Sequence, residues 1–159
     1  MPNDPFRPPD ADSRALAARL IREADHAALA VTRAETGTPS VSRIALCTGP
    51  EAGLLSLVSD LAPHTAALRA HPRAALLVGE AGRGDPLAHP RLTLHVVAAF
   101  VPRDGAEHRT LRAQLLDRLP KTKLYIDFAD FHIVTFTPEG GLLNGGFGRA
   151  TRLDPCDLP

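Results

Sequence analysis

The chain contains no tryptophan, one tyrosine and two cysteines, and its 18 basic and 18 acidic residues cancel. Each shortage excludes something. Cys47 and Cys156 cannot build a disulfide framework, and without a CxxC pair there is no redox dithiol or cysteine-based zinc site. A net charge of zero gives no global electrostatic grip on nucleic acid or on an anionic membrane, so any anion site must come from local placement of charge. No apolar run is long enough to span a bilayer. The leading MPNDPFRPPDADSR lacks the apolar stretch of a signal peptide. The expectation is a cytoplasmic protein with no membrane and no nucleic-acid partner. HExxH, Walker A and GxSxG are also missing, and neither GEAGRGDP nor NGGFGRA sits in a βαβ unit as a dinucleotide fingerprint must. The seven histidines are scattered without ligand spacing, so no metal is expected.

What is present fits one domain. A chain of 159 residues can bury a real core, and 15 prolines with 12 glycines imply many turns. Residues 1–11 read as a flexible arm, 12–150 as the domain and 151–159 as a tail. Asp12 or Ser13 caps a first helix, with Leu16, Leu20 and Ile21 on its apolar face. Strands follow at AALAVTRA, SVSRIALCT, LLSLVS, AALLVGE, RLTLHVVAAFV and FADFHIVTFTPEG, with GLLNGG as a short seventh. A helix of about three turns ends near Ala70. Another spans 105–119, with Asp104 and Glu107 spaced as a capping box. Strands joined by turns are antiparallel. The helices fall before, inside and late in the series without βαβ alternation. The fold class expected is mainly β with α, a six- or seven-stranded antiparallel barrel with peripheral helices.

Three stretches carry candidate chemistry. SDLAPHTAALRAHPR, from Ser59 to Arg73, joins two strands through a short helix. Its first turn leaves backbone N–H groups unpaired and carries the positive end of the helix dipole. Ser59, His64 and Thr65 cluster there, which suits a phosphate. Asp60 argues against a phosphate unless it caps the helix and points away, and a capped connector with a satisfied surface histidine is the other reading. Arg43 stands mid-strand between Val41 and Ala45 on an expected half-apolar face. It is either a phosphate ligand or an edge-strand charge that blocks sheet stacking. Arg91 offers the same pair of readings. NGGFGRA, Asn144–Ala150, is either backbone pressed against a flat partner or a loose turn.

Together these segments resemble the flavin-binding split-barrel superfamily that includes pyridoxamine 5′-phosphate oxidase, nearest its HugZ-type haem-degrading branch. PSVSRIAL, LLSLVSDLAPHTAALRAHPRAALLV, GDPLAHPRLTLHVVA, and YIDFADFHIVTF followed by LLNGGFGRA carry the resemblance, over roughly residues 14–150. It implies a split β-barrel and a homodimer with FMN at the interface. Arg43, with its strand neighbours Ile44 and Ala45, matches the family's flavin-phosphate strand. Ser59, His64 and Thr65 match the phosphate-proximal segment. Arg91 and Asn144, Gly145, Gly146 and Phe147 match positions near the cofactor or the dimer seam. The implied activity is an FMN-dependent oxidoreductase passing a hydride or electrons at flavin N5 to an unidentified small-molecule substrate or from an electron donor. Haem-degrading relatives carry a further C-terminal segment that this sequence lacks, and the Trp and Arg pair of pyridoxamine phosphate oxidases is missing. Haem binding or degradation, and a non-catalytic flavin-binding module, are the alternatives. Cys47 reads as a small core residue.

Overall fold

The first helix begins at Asp10, two or three residues earlier than the composition suggests. The Asp10 carboxylate accepts from the Ser13 N–H at 2.7 Å, and the Ser13 hydroxyl accepts from the Asp10 N–H at 2.8 Å. This reciprocal box satisfies two orphan donors and opens α1 (Ala11–Glu23). The computed structural model describes residues 5–49 and 53–159. Residues 1–4 of the expected arm and the middle of the expected GPEAG turn lie outside them.

The elements that follow are β1 (His26–Thr32), β2 (Pro39–Ala45), β3 (Cys47–Thr48), β4 (Leu54–Ser59), α2 (Pro63–Ala70), β5 (Arg73–Val78), β6 (Arg91–Phe100), α3 (Ala106–Arg118), β7 (Phe131–Asn144) and β8 (Ala150–Leu153). Every named strand pair is antiparallel, in the order β2-β1-β5-β6-β7-β4-β3, with β8 added on β7. β2 and β3 stand at opposite ends of this order yet only Leu46 separates them in the chain. The sheet must therefore curl until its two ends meet. They do so where the Ser56 hydroxyl donates to the Ala45 carbonyl at 2.6 Å. The result is the expected split barrel with peripheral helices.

Details differ from the sequence reading for stated reasons. SVSRIALCT is not one strand, because Leu46 turns wholly into the core and its N–H bonds to the Asp25 carbonyl. FADFHIVTFTPEG and GLLNGG are not two strands. A bulge opposite His95 and Val96 absorbs Pro138 and Gly140, so β7 runs through for 14 residues. The expected tail begins with β8, and Arg7 of the arm bridges to Thr151 on it. Gly105, not Asp104, precedes α3, and no side chain caps it.

Alternation divides the curled sheet into two faces. Leu29, Leu76, Leu94 and Phe136 point inward and are fully buried. A second cluster lies beneath α3, where Leu111 and Leu115 meet Leu55 and Ile133. The outward face of the central strands is small and apolar. Two rows cross it: Arg43, Ala28, Leu77 and Thr93, then Val41, Ala30, Ala75 and His95. Val41 and Leu77 on this face are exposed. Among the described residues no helix is long and apolar enough to cross a membrane.

Candidate functional site

β4 ends at Ser59, and three residues later the chain enters α2. Asp60, Leu61 and Ala62 form the turn, so α2 has two turns rather than three. Pro63 occupies its first turn, where a missing N–H costs nothing. No side chain caps this end.

The two hydroxyls of the segment are committed inside the chain. Ser59 donates to Asp130 Oδ2 at 2.7 Å and accepts from the Leu61 N–H at 3.1 Å. Thr65 is 1% exposed and donates to the Ser59 carbonyl at 2.6 Å. These bonds pin α2 to the end of β4. Asp60 does not cap the helix either. It accepts from His132 Nε2 at 2.7 Å and from Arg69 at 3.3 Å, and these partners, His132 first, hold its carboxyl below the usual range. Arg69 in turn lies 4.1 Å above the Phe100 ring.

His64 is different. Its Nδ1 lies 2.9 Å from the Ser42 hydroxyl of β2, and burial lowers its pKa, which keeps the ring neutral near pH 7. When Nδ1 accepts the Ser42 proton, Nε2–H remains as a donor at the uncapped start of α2.

Arg43 follows Ser42 and therefore points to the opposite, outward face. Among the described residues its guanidinium has no hydrogen-bond or ion-pair partner. The face it shares with Val41 is open rather than half-buried. β2 lies at one end of the strand order, and β4 meets it through the Ser56–Ala45 bond. Ile44 is buried and offers a ligand only its backbone, while Ala45 is half-buried beside His26.

The remaining candidates form a second corner. Arg91 donates to the carbonyls of Leu87 at 3.1 Å and His89 at 3.4 Å, which staples the short 3-10 turn Pro86–Ala88 to the start of β6. Arg91 pairs with Asn144 across the strands, and the Asn144 side chain accepts from the Gly146 N–H at 3.1 Å. Gly146 takes φ +116 with its α-carbon against the Ala88 carbonyl, a geometry that favours glycine. Gly145 closes the turn by bonding Arg149, and Phe147 at the tip is fully exposed. NGGFGRA is thus a defined turn. Three strand spacings, about 14 Å, separate this corner from Arg43. The fold therefore gathers Arg43, Ala45 and His64 around β2, and sets Arg91 with Asn144–Phe147 at the far side of the sheet.

Sequence reasoning missed Ser42, Asp130 and His132, the partners that fix His64, Ser59 and Asp60. No local signal marks them, since each acts across at least 22 positions of chain. It also missed a cleft of about 620 Å³ between α3, β7 and the C-terminal residues, lined by Glu107, Thr110, Thr137 and Leu158. None of the expected residues lines that cleft. A shallower groove of about 380 Å³ does lie on the outward face, along Ala30, Ala75, His95 and the Arg73–Glu139 pair. Among the described residues no group of three or more His, Cys, Asp or Glu side chains could hold a metal ion.

No family model matches the sequence, and no curated protein matches it. Solved structures do. One is 40% identical over 96% of this chain and 98% of its own, with a TM-score of 0.85. A haem-binding protein from Mycobacterium smegmatis is 29% identical over 94% of this chain, with a TM-score of 0.79, and this chain spans 60% of its length. HutZ, a haem storage protein from Vibrio cholerae, is 26% identical over 85% of this chain and 90% of its own, with a TM-score of 0.69.

Proposed function

Because this chain belongs to the split-barrel superfamily of pyridoxamine 5′-phosphate oxidase-like proteins, beside its HugZ-type haem-binding branch, we propose that it is an FMN-binding oxidoreductase acting as a homodimer. One observation carries the reading. Arg43 is a guanidinium with no partner among the described residues, and the residue before it on β2, Ser42, holds His64 at the uncapped start of α2. Arg43 and the start of α2 offer donors, and a phosphate monoester is the group whose oxygens would accept from them. The hydroxyls of Ser59 and Thr65 position α2 and stand behind the site rather than in it. The bound flavin would supply hydride or electron transfer at its N5. Ala45 and the backbone of Ile44 would border it. The open outward face, with exposed Val41 and Leu77 beside Ala28, Ala30 and Ala75, is the surface offered to a second copy, which would bring its own Arg91–Phe147 corner.

A second reading, haem, is favoured by one feature. His95 is exposed on the same face, opposite Gly140 and next to Ala75, and its ring has no hydrogen-bond partner among the described residues. The test titrates purified protein with FMN, followed by flavin fluorescence, with riboflavin as control. Expected is FMN binding at least about tenfold tighter than riboflavin, since one charge-assisted hydrogen bond is worth about 1.5–3 kcal/mol. Arg43→Ala should remove that preference. Equal binding of the two overturns the phosphate site. Failure of both, with an intense Soret band on adding haem, replaces the reading with the second one. Light scattering tests the dimer: a monomeric mass at micromolar concentration removes the second copy.

A further inference from the structure

At the junction of α1 and β1 an imidazole is held between two carboxylates. His26 Nδ1 lies 2.5 Å from Asp25 Oδ1, and His26 Nε2 lies 2.7 Å from Glu80 Oε1. A neutral imidazole has one N–H and can donate only one of these bonds; the imidazolium donates both. The geometry therefore specifies a protonated ring. Both hydrogen bonds, Asp25 first and then Glu80, raise its pKa above the ordinary 6.5, against a smaller opposing effect of burial.

The charged surroundings sharpen this. His26, Asp25 and Glu80 line a cavity of about 190 Å³ together with Glu23, Leu20 and Ala24 of the α1 end and Gly79 of the β5 end. The titratable groups acting on the ring are Asp25 beside it and Glu80 beyond β5, while Glu23 from α1 lines the same cavity. From β2 the cross-strand neighbour is the uncharged Ala45. Removing the proton leaves a neutral ring between two carboxylates, with one hydrogen bond gone. Asp25 is held by the chain next to His26, and the Asp25 carbonyl bonds the Leu46 N–H. Glu80 is the freer partner, because it follows Gly79 and opens the loop 80–90.

That loop is tied down at few points. Arg91 holds the carbonyls of Leu87 and His89, Asp85 accepts from the Leu87 N–H at 2.9 Å, and the His89 ring bonds the Arg83 carbonyl at 3.0 Å. Apart from Arg91, these bonds lie within the loop. The His26–Glu80 bond anchors its leading end to β1.

We propose that His26 is a proton-operated latch: as an imidazolium it binds Glu80 and holds the loop 80–90 against β1, and on deprotonation it releases that loop. The loop lies beside the Asn144–Phe147 turn, where a Cβ on Gly146 would come within 3.2 Å of the Ala88 carbonyl. The sign follows from the raised pKa. The stabilisation is complete below pH 6.5 and is lost as pH rises through the folded value. Asp25 and Glu80 are both largely exposed, so water screens the attraction and salt weakens it further.

The latch needs no bound cofactor and is read out on the chain alone. Proton–carbon NMR of the histidine rings, with His26→Gln to assign the peak, gives the His26 midpoint. Amide hydrogen exchange of residues 80–90, normalised for intrinsic rates, is recorded across the same pH range. The expected result is a midpoint above 6.5, and loop exchange that rises severalfold above that midpoint in the native chain but carries no step in His26→Gln. Glu80→Gln should bring the midpoint down. An ordinary midpoint, a loop whose exchange is flat with pH, or a step that survives in His26→Gln would each overturn the latch.

Discussion

The Ser42 hydroxyl and His64 Nδ1 lie 2.9 Å apart and join the edge strand β2 to the first turn of α2. This contact sets which His64 nitrogen is left for a ligand. It links the strand that carries Arg43 to the helix whose start is uncapped. The bond is worth about 0.5–1.5 kcal/mol by the usual range. Ser42→Ala is therefore expected to weaken FMN binding by roughly two- to tenfold and to leave riboflavin binding unchanged, as read from flavin fluorescence.

The two shifted histidines of this region move in opposite directions. Burial lowers His64, so folding disfavours its protonation. Its contribution to stability is present above pH 6.5 and is lost as pH falls through the lower folded value. NMR titration should place His64 below 6.5 and His26 above it. Adding FMN should raise the His64 midpoint, because a phosphate dianion favours the imidazolium. A His64 midpoint that ignores FMN, while FMN binds, would move the phosphate elsewhere.

Thr65 is a structural residue. Replacing it with valine keeps the shape and removes the 2.6 Å bond to the Ser59 carbonyl, which keeps the Ala62 N–H at 3.0 Å. The expected loss is about 0.5–1.5 kcal/mol in urea unfolding, that of one hydrogen bond. A neutral result would mean that α2 is held by apolar packing alone.

Gly79 and Gly37 both take positive φ, at +107 and +67, but their surroundings differ. A Cβ on Gly79 would sit 2.5 Å from the Pro90 carbonyl and 2.9 Å from the Arg91 α-carbon, both backbone atoms. A Cβ on Gly37 would meet nothing within 4 Å. Gly37→Ala should cost about 1–2 kcal/mol from its backbone conformation alone. Gly79→Ala should cost about 2–5 kcal/mol, conformation and clash together. Parallel denaturation curves check the contrast.

The two thiols should differ sharply in reactivity. Burial pushes the Cys47 thiol up to about 11, whereas Cys156 is exposed. A thiol reagent at pH 8 should label one cysteine in the native chain and both after unfolding, because the thiolate is the nucleophile. Labelling of Cys47 in the native chain would show that the core beneath α3 opens.

Local chemistry made much of this protein legible in its sequence. The short apolar runs AALAVTRA and LLSLVS between turn residues marked strands, and the stripe of Leu111 and Leu115 marked α3. Turn-joined strands without βαβ alternation gave the antiparallel barrel. Pro138 and Gly140 misled, because as isolated residues they break strands. Only pairing with β6, opposite which β7 bulges at Glu139, lets β7 continue through them. β8 carries four residues and no pattern strong enough to stand out from a tail.

The candidate site divides in the same way. Residue type told that Ser59, Thr65, His64 and Arg43 could each meet a phosphate. Which of them has a free donor was decided by distant chain. Asp130, 71 positions from Ser59, takes its hydroxyl, and the Ser59 carbonyl takes that of Thr65. Ser42 fixes His64, while alternation turns Arg43 to the open face. A side chain's donors and acceptors are intrinsic to it and are written in the sequence. Whether they are already satisfied depends on which groups folding brings within about 3 Å, and that only the tertiary structure decided.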